Sequence, residues 1–174
     1  MNLFKKLFWN PKTTDLKSGQ PSFNLGELLD ATDQNGSIIA IDDYICGLCI
    51  HGDDLSHLSQ PQRDFHYIQE LEREVNNGGF YQYFFNSSGD TANEVVQALK
   101  AIGANRTAEI VQKALDQFPD KEVPRYRNAR QHILEQIEEL ADPVWEDLSQ
   151  QFFEYNDDLN ELNIQYIKAN RNSF

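Results

Sequence analysis

The sequence predicts an all-α domain of about seven or eight helices behind a short basic arm. Three observations predict it. Apolar residues recur three and four positions apart almost throughout, which is the period of one helix face. The helix punctuation marks Pro61, Gly78-Gly79, Gly103, Pro119 and Pro143 fall between those periodic stretches. Only Ile38 to Ile41 is ambiguous between helix and strand. With 174 residues, 40% of them apolar, one domain can bury a sizeable core.

The elements follow in order. Residues 1–22 read as a flexible arm, broken at Asn10-Pro11, Ser18-Gly19 and Gln20-Pro21. Residues 23–174 read as one acidic helical domain. Ile38, Ile41, Ile45 and Cys49 form the stripe of a helix from Ser37 to Cys49. Pro61 opens the next helix, whose buried face is Phe65, Ile68, Leu71 and Val75. Asn77, Gly78 and Gly79 are expected to end it, with at least one glycine at positive φ. Phe80 to Phe85 restarts as a short helix that packs Phe80, Tyr81, Phe84 and Phe85 as a wedge, and Asn86-Ser-Ser-Gly89 turns. Thr91-Ala-Asn-Glu94 has capping-box spacing before Val95, Val96, Leu99 and Ile102, and Gly103 closes that helix. A helix from Arg106 to Phe118 stops at Pro119. Two more are expected over about 124–141 and 143–155, divided where Asp142 caps a helix opened by Pro143, and a last one over 159–170.

Charge limits the function classes. Twenty-eight acidic residues face 15 basic ones, a net charge of −13. Lys5, Lys6, Lys12 and Lys17 against Asp15 give the arm +3, which leaves −16 on the remainder. Direct nucleic-acid binding needs the opposite sign, whereas basic partners are attracted. No apolar run reaches the ~20 residues of a membrane span. Met1 to Trp9 alternates apolar residues with lysines, too short for stable membrane association and without the uninterrupted apolar segment of a signal peptide. Two cysteines make no disulfide framework, so a reducing, cytoplasmic location is expected.

Asn76 to Asp90 reads NNGGFYQYFFNSSGD. A phosphate loop would need a cation close by, yet no Lys or Arg lies between Arg73 and Lys100. The stretch is therefore expected to be a hinge, with its amides and hydroxyls the part able to line a pocket. Cys46-Gly-Leu-Cys49 sits inside a helical pattern, unlike a thioredoxin-type site. With His51, Asp53, Asp54 and His57 near it, a metal site is conceivable, but buried structural thiols are the expected reading. No cofactor is expected, and no Glu-x-x-His pair of the di-metal bundles occurs.

The blocks EREVNNGGFYQYFFNSSGD and EVVQALKAIGA carry a resemblance. They are similar to the bacterial DNA-mimic-protein-like family of small acidic helical domains, best understood through a member from Neisseria. The resemblance is specific over Ile38 to Ala104 and weaker to about residue 160. It implies an all-helical domain whose surface carboxylates stand in for DNA phosphates, so that it occupies a DNA-binding protein such as a transcription factor.

The acids themselves are ordered. Between Arg130 and Lys168 there is no Lys or Arg but ten acids: Glu135, Glu138, Glu139, Asp142, Glu146, Asp147, Glu154, Asp157, Asp158 and Glu161. Glu135, Glu138, Glu139 and Asp142 fall within about one third of a helix circumference, opposite Ile133, Leu134, Ile137, Leu140 and Ala141. Val144, Leu148, Phe152 and Tyr155 are expected to form the next buried face. Laid end to end, the ten charges would come at about one per 4 Å against one per ~1.7 Å on duplex DNA. Folding the helices together, or a homodimer, would raise that density. The expected function is an acidic, non-enzymatic binding protein that regulates transcription by mimicking DNA. The alternatives are an immunity-type inhibitor of a toxin and a metal or small-ligand enzyme around Cys46, Cys49 and His51.

Overall fold

A computed structural model describes residues 23–174, and the arm expected over 1–22 lies outside the described residues. The described chain is helical with no strand. Its helices are α1 (Leu25–Asp30), α2 (Gln34–Leu48), α3 (Gln60–Phe85), α4 (Ala92–Ile102), α5 (Asn105–Leu115), α6 (Arg127–Phe153) and α7 (Leu159–Ala169), with 3-10 turns at Ser87–Thr91, Pro119–Lys121 and Arg171–Ser173. α3 packs against both α4 and α6, α4 against α5, and α5 back against α6. That ring encloses the larger core, which runs from Tyr67 in α3 to Phe152 in α6 and Leu159 in α7. A smaller core of Leu29, Ile38, Ile41, Ile45, Cys49, Leu58, Phe65, Ile164 and Ile167 joins α1, α2 and α7 to the start of α3.

Local chemistry accounts for most boundaries. Ser59 and Gln62 form a reciprocal capping box at α3, with Pro61 in its first turn. Gly103 ends α4 at φ 88°, ψ 8°, the left-handed conformation a glycine reaches without a Cβ clash. The pair Thr91 and Glu94 does not form the expected box. Thr91 Oγ1 donates to Ser88 O, and Glu94 instead pairs with Arg125. α5 receives its cap from far away: the Asp157 carboxylate accepts from Thr107 N at 2.8 Å and from Thr107 Oγ1 at 3.1 Å.

The hinge is a break inside α3. Gly79 has φ 70° and ψ −173°, a region essentially reserved for glycine, while Gly78 at φ −164° is merely extended. The Phe80 N–H donates to Ser149 Oγ at 3.1 Å, and that hydroxyl donates on to Trp145 O at 2.7 Å. One serine of α6 thus restarts α3. Beyond the break Phe80, Tyr83 and Phe84 are buried, whereas Phe85 is 40% exposed, so Tyr83 takes the inward place expected of Phe85. Phe84, Phe118 and Trp145 meet as an aromatic cluster with centroids 4.9 to 5.8 Å apart.

The Asn86 turn is held by Arg130, which is wholly buried. Its Nε donates to Phe84 O at 2.6 Å, its Nη1 to Pro124 O and Arg125 O, and its Nη2 to Asn86 O and to the Asp90 carboxylate. A Cβ on Gly89 would lie 2.6 Å from Arg130 Nε and 3.0 Å from Phe84 O, so glycine here makes room for the guanidinium.

The two helices expected either side of Pro143 are one. α6 runs unbroken for 27 residues, about 40 Å, with Pro143 inside it. The ring removes one N–H and frees the Glu139 carbonyl, but both residues lie on the exposed side, where water can reach that oxygen. On the inner side Leu134, Ala141, Trp145, Leu148 and Phe152 are buried in one continuous phase. That phase turns Val144 to the flank, leaves Leu140 82% exposed and lets Tyr155 lie past the helix end. Packing of the inner face outweighs the single lost hydrogen bond.

Candidate partner-binding surface

α6 carries six of the ten acids, and Glu154 follows at its C-terminal cap. Glu135, Glu138, Glu139, Asp142 and Glu146 are exposed and share one flank of the rod. Asp147 and Glu154 are exposed nearer its outer edge. Among the described residues no lysine or arginine pairs with any of them; the one ring nitrogen near them is His132 Nδ1, 4.0 Å from Glu135 Oε2. Tyr81 of α3 sits beside this flank. Burial, and then the charges of Glu138, Asp142 and Glu135, push its phenol above the ordinary range. Leu140 and Val144, four residues apart, lie on the opposite flank.

The other three acids are placed apart from the rod. Asp157 is half-buried and caps α5. Asp158 caps α7 through Glu161 N at 3.0 Å. Glu161 is half-buried and accepts from Gln165 and Gln34. The structure therefore gathers five of the sequence-selected acids into one ridge, sets two beside it, and commits three to helix ends and side-chain amides. The cap role of Asp157 had no local signal, because its partner Thr107 is 50 residues away.

A groove of about 230 Å³ runs beside the hinge, between Asn76, Asn77, Gly78 and Gly79 on α3 and Glu146, Ser149 and Gln150 on α6. Hinge residues thus do line a surface depression, and it opens beside the ridge. A larger cleft of about 480 Å³ lies between α2 and α3, lined by Asp42, Asp43, Cys46, His51, Gln69, Glu72 and Arg73 among others. Both cysteines are buried and unpaired. Burial and the neighbouring Asp42 carboxylate push the Cys46 thiol up to about 12, well away from a reactive thiolate. Cys49 points elsewhere, its Sγ donating to Cys46 O at 3.6 Å inside the smaller core. The residue brought to Cys46 is His66 of α3, not Cys49: one donor atom each from Asp42, Cys46 and His66 lie within 4.8 Å of one another. His51 stays at the rim of the cleft. The spacing Asp42-x-x-x-Cys46 places two of these on one helix face; nothing in the sequence points to His66.

Residues 56–170 match the family described as DMP19-like protein. The chain belongs to the DMP19-like family. The match starts after α2 and runs through the end of α7, so it takes in the hinge, the Arg130 clamp and the whole acidic rod. The resemblance read from the sequence placed its specific part earlier, from Ile38, whereas α1 and α2 lie outside the DMP19-like segment. No curated protein and no solved structure matches the chain. Among the described residues no helix is long and apolar enough to cross a membrane.

Proposed function

We propose that this DMP19-like chain is an acidic binding protein that occupies the DNA-binding surface of a basic protein, such as a transcription factor. It acts by occupancy and transforms no substrate. One observation carries the reading: five exposed carboxylates on one flank of a single continuous helix, with no lysine or arginine paired to them among the described residues. From Glu135 to Glu146 the axial rise is about 17 Å, one charge per ~4 Å, close to the ~3.4 Å phosphate spacing of one DNA strand. Continuity through Pro143 matters here, because a kinked pair of helices would not hold the five charges in line. A partner's Lys and Arg side chains would meet carboxylates where they otherwise meet phosphates. Membership of the family is consistent with this role.

A second reading has its own observation. Leu140, 82% exposed, gives the same rod an apolar flank, as a specific inhibitor of one protein would need. The two separate in one experiment. Partners are captured from native lysate at low and high salt, and the purified complex is titrated with duplex DNA as competitor. A DNA mimic loses affinity as salt rises, competes with DNA, and loses binding when Glu135, Glu138, Glu139 and Asp142 become Lys. A ternary complex of partner, DNA and this chain, or full affinity of that quadruple variant, sinks the mimic reading. Binding that resists salt and DNA but fails in Leu140→Ser supports the inhibitor.

A further inference from the structure

Between the cleft along α2, lined by Asp42 and Cys46, and a neighbouring depression lined by His66 lies an arrangement that the acidic ridge does not use. Asp42 and Cys46 stand one turn apart on α2 and face His66 of α3, with one donor atom from each within 4.8 Å of the others. Carboxylate oxygen, sulfur and imidazole nitrogen are a ligand set of borderline-soft divalent cations, and three protein ligands with one open position is a recurrent zinc arrangement. The set is already oriented. Arg73 Nη2 holds Asp42 Oδ2 at 2.6 Å, which leaves Oδ1 toward Cys46 Sγ at 3.6 Å.

Two independent observations point to a missing partner. His66 is 3% exposed, and its Nδ1 is buried with no hydrogen-bond partner. Gln69, one turn further along α3 and lining the cleft, buries its amide nitrogen equally unpartnered. Buried polar atoms are rarely left so, because each costs roughly 1–3 kcal/mol. A cation held by His66, with water in its open position, would give such groups partners.

We propose that Asp42, Cys46 and His66 form a binding site for a zinc-class divalent cation. The cation takes the place of the Cys46 thiol proton, which leaves to solvent, and no electron is transferred. It ties α2 to α3, and hence the smaller core to the larger. Two of its three ligands precede residue 56, so the site belongs to this chain rather than to the DMP19-like segment. It stands independently of the DNA-mimic reading.

The test uses the full chain, dialysed against a chelator and titrated with Co²⁺. The expected result is one Co²⁺ per chain with a thiolate-to-cobalt charge-transfer band that Zn²⁺ abolishes, and a melting temperature raised by Zn²⁺. Cys46→Ser removes the band, His66→Gln and Asp42→Asn each weaken binding roughly tenfold or more, and Cys49→Ser keeps the band. Melting of each metal-free variant reports its fold, and Asp42→Asn, on a part-buried side chain, is the variant least able to disturb it. Absence of saturable Co²⁺ binding, a band that survives Cys46→Ser, or full affinity in Asp42→Asn overturns the site.

Discussion

Two stretches of α6 use charge in opposite ways. Near its start Arg130 is wholly buried, and its donors all meet acceptors, four of them backbone carbonyls. Further along, Glu135 to Glu146 place five carboxylates in solvent with no lysine or arginine paired to them among the described residues. The buried charge is committed to the fold. The exposed ones carry no such commitment: Glu146 accepts one hydrogen bond from Gln150 on its own helix, and Glu135 meets only His132. A buried guanidinium is tolerated only because its hydrogen bonds replace those of water. The ridge needs no such compensation, and at spacings of three and four residues its like charges repel. The difference separates what a charge costs to change from what it does.

That contrast can be broken at its strong end. Arg130→Met should destabilise the protein by about 3–5 kcal/mol, because the carbonyls of Phe84, Pro124, Arg125 and Asn86 lose their donor inside the structure. Urea unfolding would read it. A loss below about 1 kcal/mol would mean that water replaces the guanidinium and that the Asn86 turn is not clamped.

Next in size are the hinge glycines. Gly79→Ala should cost about 1–3 kcal/mol, since its φ of 70° with ψ −173° strains any residue with a Cβ, and the new carbon would crowd Ser149 Oγ at 3.0 Å. Gly78→Ala should cost less, because its backbone is extended and its closest neighbour is the flexible end of Gln82. Equal thermal shifts for the two would show that the break is not localised at Gly79.

The ridge itself should be nearly silent in stability. Replacing Glu135, Glu138, Glu139 and Asp142 together by Lys should shift unfolding by only a few tenths of a kcal/mol per charge pair, because four lysines repel one another much as the carboxylates do and only position 142, facing Glu146, gains an opposite charge. Lysine at Glu138 and Asp142 alone, opposite in sign to Glu135, Glu139 and Glu146, should stabilise by a similar small amount. A large loss in either variant would mean that the ridge serves the fold after all.

The smallest effect sharpens the comparison at a carboxylate between the extremes. Glu72 on α3 accepts from Tyr155 Oη at 3.0 Å, yet burial raises its carboxyl above the ordinary range, Tyr155 lowers it less, and Asp158 adds to the rise. A folded-state pKa above the unfolded value means that the folded form binds more protons, so this group removes stability as pH climbs through the carboxylate range. Glu72→Gln should raise the melting temperature slightly at pH 7 and hardly at all at pH 4. A gain at pH 4 equal to that at pH 7 would assign the effect to packing.

The sequence by itself determined the helical class, the buried faces of α2 and α3, the ends at Gly103 and Pro61, and the lysine-free run of acids. These are local facts: a face follows from spacing of three and four, and a terminus from one residue's backbone preference. Tertiary structure alone decided that α6 continues through Pro143, because the burial of Leu134, Ala141, Trp145 and Leu148 in a single phase is visible only once α3 and α5 lie against them. It decided likewise that Arg130 is an internal brace, that Asp157 serves Thr107 rather than the ridge, and that His66 rather than Cys49 meets Cys46. Each of those depends on a partner between 20 and 50 residues away in the chain, a separation that no helical period encodes.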